Sequence, residues 1–257
     1  MSRRKRPPIA GSVILWEGPS ELDGAPIVVI ATGLGADSEN SKTGRMVQTY
    51  IIRADMAPAR AVRTGQDSSV CGDCRHRGRK GKGRTCYVNL GQGPRAVWNA
   101  YRAGRYRKAT PAEVAEVGRG RLVRLGTYGD PAAAPAALWA RLVAWAAGHT
   151  GYSHQWRTAA DLRGLLMASV DDLGEHAEAV AAGWRTFRVS MLGEARTAGE
   201  RPCPASKEAG ARVTCADCQA CDGTVTGRRH GVTIEPHGGF AVLATVQTLR
   251  EKARAAR

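Results

Sequence analysis

From residue 121 onward the chain alternates short apolar runs with segments of helical period, and few folds accommodate that rhythm. "RLVRLGTYGD" (121–130), "GYSHQW" (151–156), "LLMASVDD" (165–172) and "TFRVS" (186–190) read as strands. "PAALWARLVAWAAGH" (135–149), "AADLRG" (159–164) and "LGEHAEAVAAGW" (173–184), which stops at Gly183, read as the helices between them. Strands separated by single helices must run parallel, because each helix carries the chain back to the starting edge. Upstream, "SVILW" (12–16), "APIVVIATGL" (25–34), "MVQTYIIR" (46–53) and "CYVNL" (86–90) add strands, and "GPRAVWNAYRAG" (93–104) adds a helix with Pro94 in its first turn and Gly104 at its end. "HGVTIEPHG" supplies a last strand and residues 240–257 a terminal helix with a basic end. The expectation is an α/β fold: a complete or partial (β/α) barrel of about 6–8 parallel strands carrying Cys-rich metal-binding insertions. An open doubly wound sheet is the alternative. No glycine-rich dinucleotide fingerprint follows a strand and no Walker A motif is present, which argues against NAD and ATP chemistry. Residues 1–11 read as a disordered basic arm. Residues 12–257 read as a single domain with Cys-rich loops at 70–86 and 203–223.

No apolar run approaches membrane length, and "MSRRKRPPIAG" lacks the apolar stretch of a signal peptide, so a cytoplasmic protein with no membrane partner is expected. In a reducing compartment the 7 cysteines are metal ligands rather than disulfides. The first group is Cys71, Cys74 and Cys86, with His76 beside them. Three thiolates with an open fourth position describe a cluster with one exchangeable iron; three thiolates plus His76 describe a closed zinc site. The second group is Cys203, Cys215, Cys218 and Cys221, with His230 and His237 downstream as substitutes for one thiolate. Four such ligands complete a tetrahedral zinc site or an iron–sulfur cluster, and spacing does not choose between them; a purely stabilising zinc knob uses the same residues. The two groups mirror each other in spacing, which suits two comparable sites or one shared site.

Lys+Arg number 38 against 23 Asp+Glu, a formal charge of +15. An excess of this size reads as a polyanion footprint, or as the drift of a GC-rich genome towards Arg, Ala and Gly. Clustering favours the footprint: "RRKR" at 3–6, "YRAGRYRK" at 101–108, and the loop carrying Arg79, Lys80, Lys82 and Arg84, which are the candidate phosphate contacts. "SENSKTGR" (38–45) is a phosphate-holding loop or simply a solvated one.

Barrel chemistry sits where strands end. Those ends carry Asp130, His154, Asp171 with Asp172, and Ser190. Asp130, His154 and Asp171 are the candidate catalytic residues; Gly129, Asp130 and Ser190 are the candidate cofactor contacts. The competing readings are helix N-capping for the aspartates and a core imidazole for His154.

Through "SKTGRMVQTYIIR", "CGDC…CYVN", "YGDP" and "CP…CADCQAC…H" the chain resembles a bacteriophage protein family that itself carries no assigned activity. The order of parts also resembles radical S-adenosylmethionine enzymes. Cys71, Cys74 and Cys86 would then be the first cluster's ligands, Gly129-Asp130-Pro131 the strand end that meets the methionyl amine, and Cys203 to Cys221 an auxiliary cluster. This chain has CxxC and a distant third cysteine where that family has CxxxCxxC. Cys215, Cys218, Cys221 and His230 or His237 are similar, loosely, to the Cys3His zinc of guanine transglycosylases, whose catalytic aspartates would fall among Asp130, Asp171 and Asp172. Both resemblances imply base modification. The expected function is therefore a metal-dependent barrel enzyme, iron–sulfur favoured, that modifies a nucleic-acid base or nucleotide, in keeping with phage DNA modification in a host cytoplasm. The cofactors are an iron–sulfur cluster or Zn2+, with S-adenosylmethionine implied by the first resemblance, and the partner is DNA. A transglycosylase with structural zinc and a non-enzymatic zinc-stapled nucleic-acid binder are the alternatives.

Overall fold

The computed structural model describes residues 11–35, 40, 42–78, 83–191, 193–206, 209–210, 213–225, 231–236, 248 and 251. Ten strands form one sheet: β1 (Val13–Pro19), β2 (Pro26–Thr32), β3 (Met46–Arg53), β4 (Arg107–Lys108), β5 (Leu122–Tyr128), β6 (Gly148–Ser153), β7 (Met167–Val170), β8 (Thr186–Val189), β9 (Glu200–Pro202) and β10 (Gly231–Ile234). Their spatial order is β4-β1-β2-β3-β5-β6-β7-β8-β10-β9. β2 runs against β1 and β3, and every other pairing is parallel. The expectation of an α/β fold with a largely parallel sheet holds. Among the described residues the strands number ten rather than 6–8, and the sheet ends at β4 and β9 without closing.

Among the described residues, seven α-helices connect these strands: α1 (Pro58–Thr64), α2 (Ser68–Cys71), α3 (Gly93–Arg102), α4 (Pro111–Gly118), α5 (Ala136–Val143), α6 (Leu173–Ala181) and α7 (Cys215–Cys218). β5, β6, β7 and β8 are consecutive in sequence and in space, and right-handed crossovers that step one strand at a time place their helices on one face. Burial follows that arrangement. Val123, Leu125, Ala168 and Val170 join Trp139, Leu142 and Ala179 in the main core. Alternation sends Arg124, Thr150, Tyr152, Met167 and Ser169 to the opposite face. There Met167 packs with Cys203, Ala220, Cys221 and Val232 in a second, smaller core. The second cysteine segment therefore covers the face that α5 and α6 leave open.

Several expected elements differ. Residues 86–90 form no strand: His76 O accepts from Cys86 N at 3.0 Å, and the Arg84 guanidinium holds the carbonyls of Cys86 and Val88, so these residues are tied locally rather than to a neighbouring strand. The stretch from 54 to 85, which shows no clear period, contains α1 and α2. α4 is started by a capping box between Thr110 and Glu113. α5 stops at Val143 instead of continuing to 149, because the chain turns to enter β6 at Gly148. The basic arm lies outside the described residues apart from Gly11, and the terminal helix does so apart from Thr248 and Glu251, both helical. Among the described residues no helix is long and apolar enough to cross a membrane.

Candidate functional site

The first cysteine group is folded onto the carboxyl ends of β5, β6 and β7. α2 delivers Cys71, and Asp130 N, just past β5, donates to Val70 O at 2.6 Å. Cys74 N returns to Cys71 O at 3.2 Å, making a tight turn. Gly72 is required there: its φ is +58°, and a Cβ would stand 2.3 Å from the Gln155 amide carbon. His76 O accepts from both Thr85 N and Cys86 N, which brings the third cysteine back beside the first two. The three sulfurs feel one another's charge. Burial is the main reason all three thiols are hard to ionise: it pushes Cys74 up to about 11 and raises Cys71 and Cys86.

Tyr128 completes this nest. Its buried hydroxyl has no hydrogen-bond partner among the described residues. It lies within electrostatic reach of Cys71, Asp67, Arg84 and Cys86. A buried O–H without an acceptor costs about 1–3 kcal/mol, and a thiolate carrying a metal is an acceptor of the kind it lacks.

Beside the thiols, His76, His154 and Asp171 each present a ligand atom within 4.8 Å of the others. His76 Nε2 lies 2.8 Å from Asp171 Oδ1, and its Nδ1 lies 2.9 Å from Thr85 Oγ1. The two imidazoles meet edge-on with centroids 5.7 Å apart. His154 Nε2 is 3.2 Å from Ser169 Oγ. Asp171 is 1% exposed. Its other oxygen sits 3.3 Å from Arg75 Nε, and Arg75 also grips Glu175. Burial opposes ionisation of Asp171, but His76, His154 and Arg75 outweigh it and hold the carboxyl below the ordinary aspartate range.

Asp130 works differently from Asp171. Its Oδ1 accepts from Ala132 N at 3.0 Å and Ser153 Oγ at 2.7 Å, and its Oδ2 accepts from His154 N at 2.7 Å. It caps a 3-10 turn and clamps the end of β6, so it positions His154. Burial raises its pKa. Asp172 is the N-cap of α6. Gly129, expected as a cofactor contact, is a packing residue: a Cβ would stand 2.7 Å from Ile51 O and 3.2 Å from Val70 O. Ser190 donates its N–H to Ile234 O, and among the described residues no hydrogen bond joins its side chain to the His–Asp group. Arg84 spends its guanidinium on backbone carbonyls. Arg79, Lys80, Lys82, His230 and His237 lie outside the described residues.

The second group packs on the opposite face of the sheet from α5 and α6. A capping box between Thr214 and Asp217 starts α7, and Cys215 N and Ala216 N donate to Lys42 O and Thr43 O. The 40–45 loop is thus the seat of the cysteine segment, with Asn40 Oδ1 accepting from Lys42 N and Thr43 N. Cys203 N donates to Thr233 O at 2.7 Å, and Cys221 O accepts from Gly151 N at 3.0 Å. Cys221 faces Cys203, Cys215 and Cys218, and burial pushes its thiol up to about 12. The two groups are therefore two separate places and not one shared site.

Arg124 stands between them. It is 7% exposed. Its NH2 donates to Tyr87 OH at 3.2 Å, where Tyr87 directly follows Cys86. Its guanidinium lies 5.3 Å from the Tyr152 ring. Among the described residues no carboxylate forms an ion pair with it. Burial opposes its charge, and Tyr87, Tyr152 and Cys215 offset this. A thiol such as Cys215 is an anion when it ligates a metal.

Sequence reading singled out His154 and Asp171, and considered His76 only as a zinc ligand. It did not single out Thr85, Ser169, Arg75, Glu175, Arg124 or Tyr128 as site residues. No family model matches the chain, and no curated protein or solved structure matches it.

Proposed function

We propose that this chain is a metal-dependent enzyme whose reaction centre lies at the carboxyl edge of β5–β7 and whose substrate is a nucleic-acid base or nucleotide. One observation carries the reading: Cys71, Cys74 and Cys86 gather at the strand ends where His76, His154 and Asp171 also converge. In parallel sheets that edge is where ligands bind. The open, one-directional run from β5 to β8 suits a partial barrel.

Three gathered thiols suit an iron–sulfur cluster with one open iron, whereas a closed zinc site needs a fourth ligand beside them. Cys71, Cys74 and Cys86 would hold such a cluster, with Tyr128 donating to a sulfur; when bound, it supplies an electron donor and an open iron. The chain's own residues do the rest. Asp130 fixes the backbone of His154, and Arg75 and His76 keep Asp171 anionic. A transglycosylase is less well served: Asp130 has both oxygens occupied and Asp171 is paired with two basic groups, so neither offers a free nucleophile.

The net charge of +15 supports the substrate class. The test is anaerobic purification followed by iron, sulfide and zinc analysis, with absorbance read at about 400 nm. Stoichiometric iron lost on C71A/C74A substitution supports the reading; zinc alone, without colour, removes the iron chemistry. An oligonucleotide gel shift that fades with salt supports the substrate, and no shift at low salt removes it.

A further inference from the structure

We infer that His76, His154 and Asp171 together bind a divalent first-row transition ion, at a site separate from both cysteine groups. This holds whether the thiols carry iron or zinc. The donors are two imidazoles and one carboxylate, the set that suits zinc, ferrous iron or cobalt and that leaves coordination positions open. Calcium and magnesium call for oxygen ligands throughout.

The geometry is close to what one ion demands. Ligand atoms ~2.1 Å from an ion and ~90–110° apart lie ~3.0–3.4 Å from each other. His76 Nε2 and Asp171 Oδ1 already stand 2.8 Å apart. The three donors fall within 4.8 Å of one another, so movements below about 1 Å close the shell. Each donor comes from a different segment: the loop after α2, the end of β6 and the end of β7. None can be displaced without disturbing the sheet edge.

The surroundings are those of a ligand set. Thr85 Oγ1 engages His76 Nδ1 and turns Nε2 towards the centre. Arg75 occupies Asp171 Oδ2 and leaves Oδ1 as a single-oxygen ligand. Asp130 fixes the backbone of His154. Outer partners of this kind orient ligands and typically contribute 10–100-fold in metal affinity, in round numbers about one to two powers of ten.

The test uses the full chain, stripped with chelator and titrated anaerobically with Co2+. The expected result is one equivalent whose visible bands report nitrogen and oxygen ligation, additional to any thiolate–cobalt charge-transfer signal. That equivalent persists when Cys71, Cys74 and Cys86 are all changed to Ser, so loss of the thiol centre and loss of this site read out separately. H154A removes it, with circular dichroism and the thiolate signal unchanged. T85V weakens it by roughly 10–100-fold. If H154A and T85V bind Co2+ with the parent's stoichiometry, affinity and spectrum, the inference is overturned. If H154A fails to fold, the T85V affinity decides alone.

Discussion

Replacing Arg124 with Met separates a chain that carries thiolates from one that carries thiols. Met keeps most of the stem's volume and removes the charge. In the metal-free chain Cys203, Cys215 and Cys221 are neutral, and burial holds them so. Arg124 is then a buried cation without a carboxylate, and removing it costs little: the hydrogen bond to Tyr87 goes, at about 1 kcal/mol, against relief of a desolvation penalty of similar or larger size. In the metal-loaded chain Arg124 faces thiolate charge. At a separation of about 5 Å and an effective dielectric of about 20, one such pair is worth ~3 kcal/mol. The two states together predict a metal affinity at the second cysteine group that falls by roughly 100-fold in R124M, while the metal-free chain unfolds within about 1 kcal/mol of the parent. Chelator competition measures the first quantity and urea unfolding followed by circular dichroism the second. Equal affinity in R124M and parent, or a metal-free R124M destabilised by several kcal/mol, refutes the reasoning that Arg124 is held there by thiolate charge.

D130A strands two backbone N–H groups and the Ser153 hydroxyl, and is expected to cost about 3 kcal/mol and roughly 6–12 °C in Tm, read by thermal melting; a loss under about 1 kcal/mol would show that the clamp on His154 is idle. Cys74 of the chelator-treated chain should react with iodoacetamide at pH 7.5 on the order of 100-fold more slowly than a free cysteine, with denaturant restoring the rate; mass spectrometry showing equal rates would contradict its burial. Glu200, 0% exposed at its side chain, pairs with Arg188, also 0% exposed, at 2.7 Å, so E200Q should cost about 3–5 kcal/mol in urea unfolding. Burial opposes the Glu200 charge, but Arg188 outweighs it and lowers the pKa; burial and Arg188 together lower that of the neighbouring His176. A lowered folded pKa contributes stability that is complete above the unfolded value and lost as pH falls through the folded one. Urea midpoints should therefore decline below pH about 6.5 and again below about 4, and H176Q should flatten the first step; a flat profile in the parent would refute the linkage.

Local signals carried the sheet and failed at contacts. β3 was legible because β-branched and apolar residues fill 46–53 between a polar loop and Asp55, and both faces of the strand are buried. α6 was legible from its cap and from Gly183, which sits at φ +80°. Residues 86–90 carry the same strand-forming composition, but the neighbour a strand needs is replaced by His76 O and Arg84, and composition does not report a missing partner. α4 was signalled by Thr110-Pro111 and Glu113, a capping box followed by too few apolar residues to show a period. The direction of β2 was hidden too, since a strand buried on both faces reads alike in either orientation. At the site, the aspartates were found because they end strands, but their roles were not. Asp130 and Asp171 occupy equivalent places after β5 and β7, parallel strands on either side of β6. One meets N–H groups of its own turn and the next strand, and the other meets a loop that left the sheet 95 residues earlier. Only the order β3-β5-β6-β7 brings that loop over Asp171.

The same order explains where the positive charge resides. Arg53, Arg185 and Arg188 are buried and Arg77 is half-buried; Arg53 pairs with Asp55, Arg77 with Asp67, Arg185 with Asp222, and Arg188 with both Glu194 and Glu200. Such pairs remove a cation and an anion together, so they leave the formal surplus of +15 untouched. That surplus must stand either at the surface or opposite anions that a formal count treats as neutral. Cysteines are the one such group in quantity, and Arg124 with Lys42 is placed against them. Where the thiols carry a metal, part of what reads in sequence as a nucleic-acid footprint would be counter-charge for their sulfur. The salt dependence of oligonucleotide binding should accordingly be insensitive to R124M, which faces inward, and should shallow when exposed cations such as Arg107 and Lys108 are removed. A salt slope that drops by about one in R124M would place Arg124 on the nucleic acid and return the whole surplus to the surface.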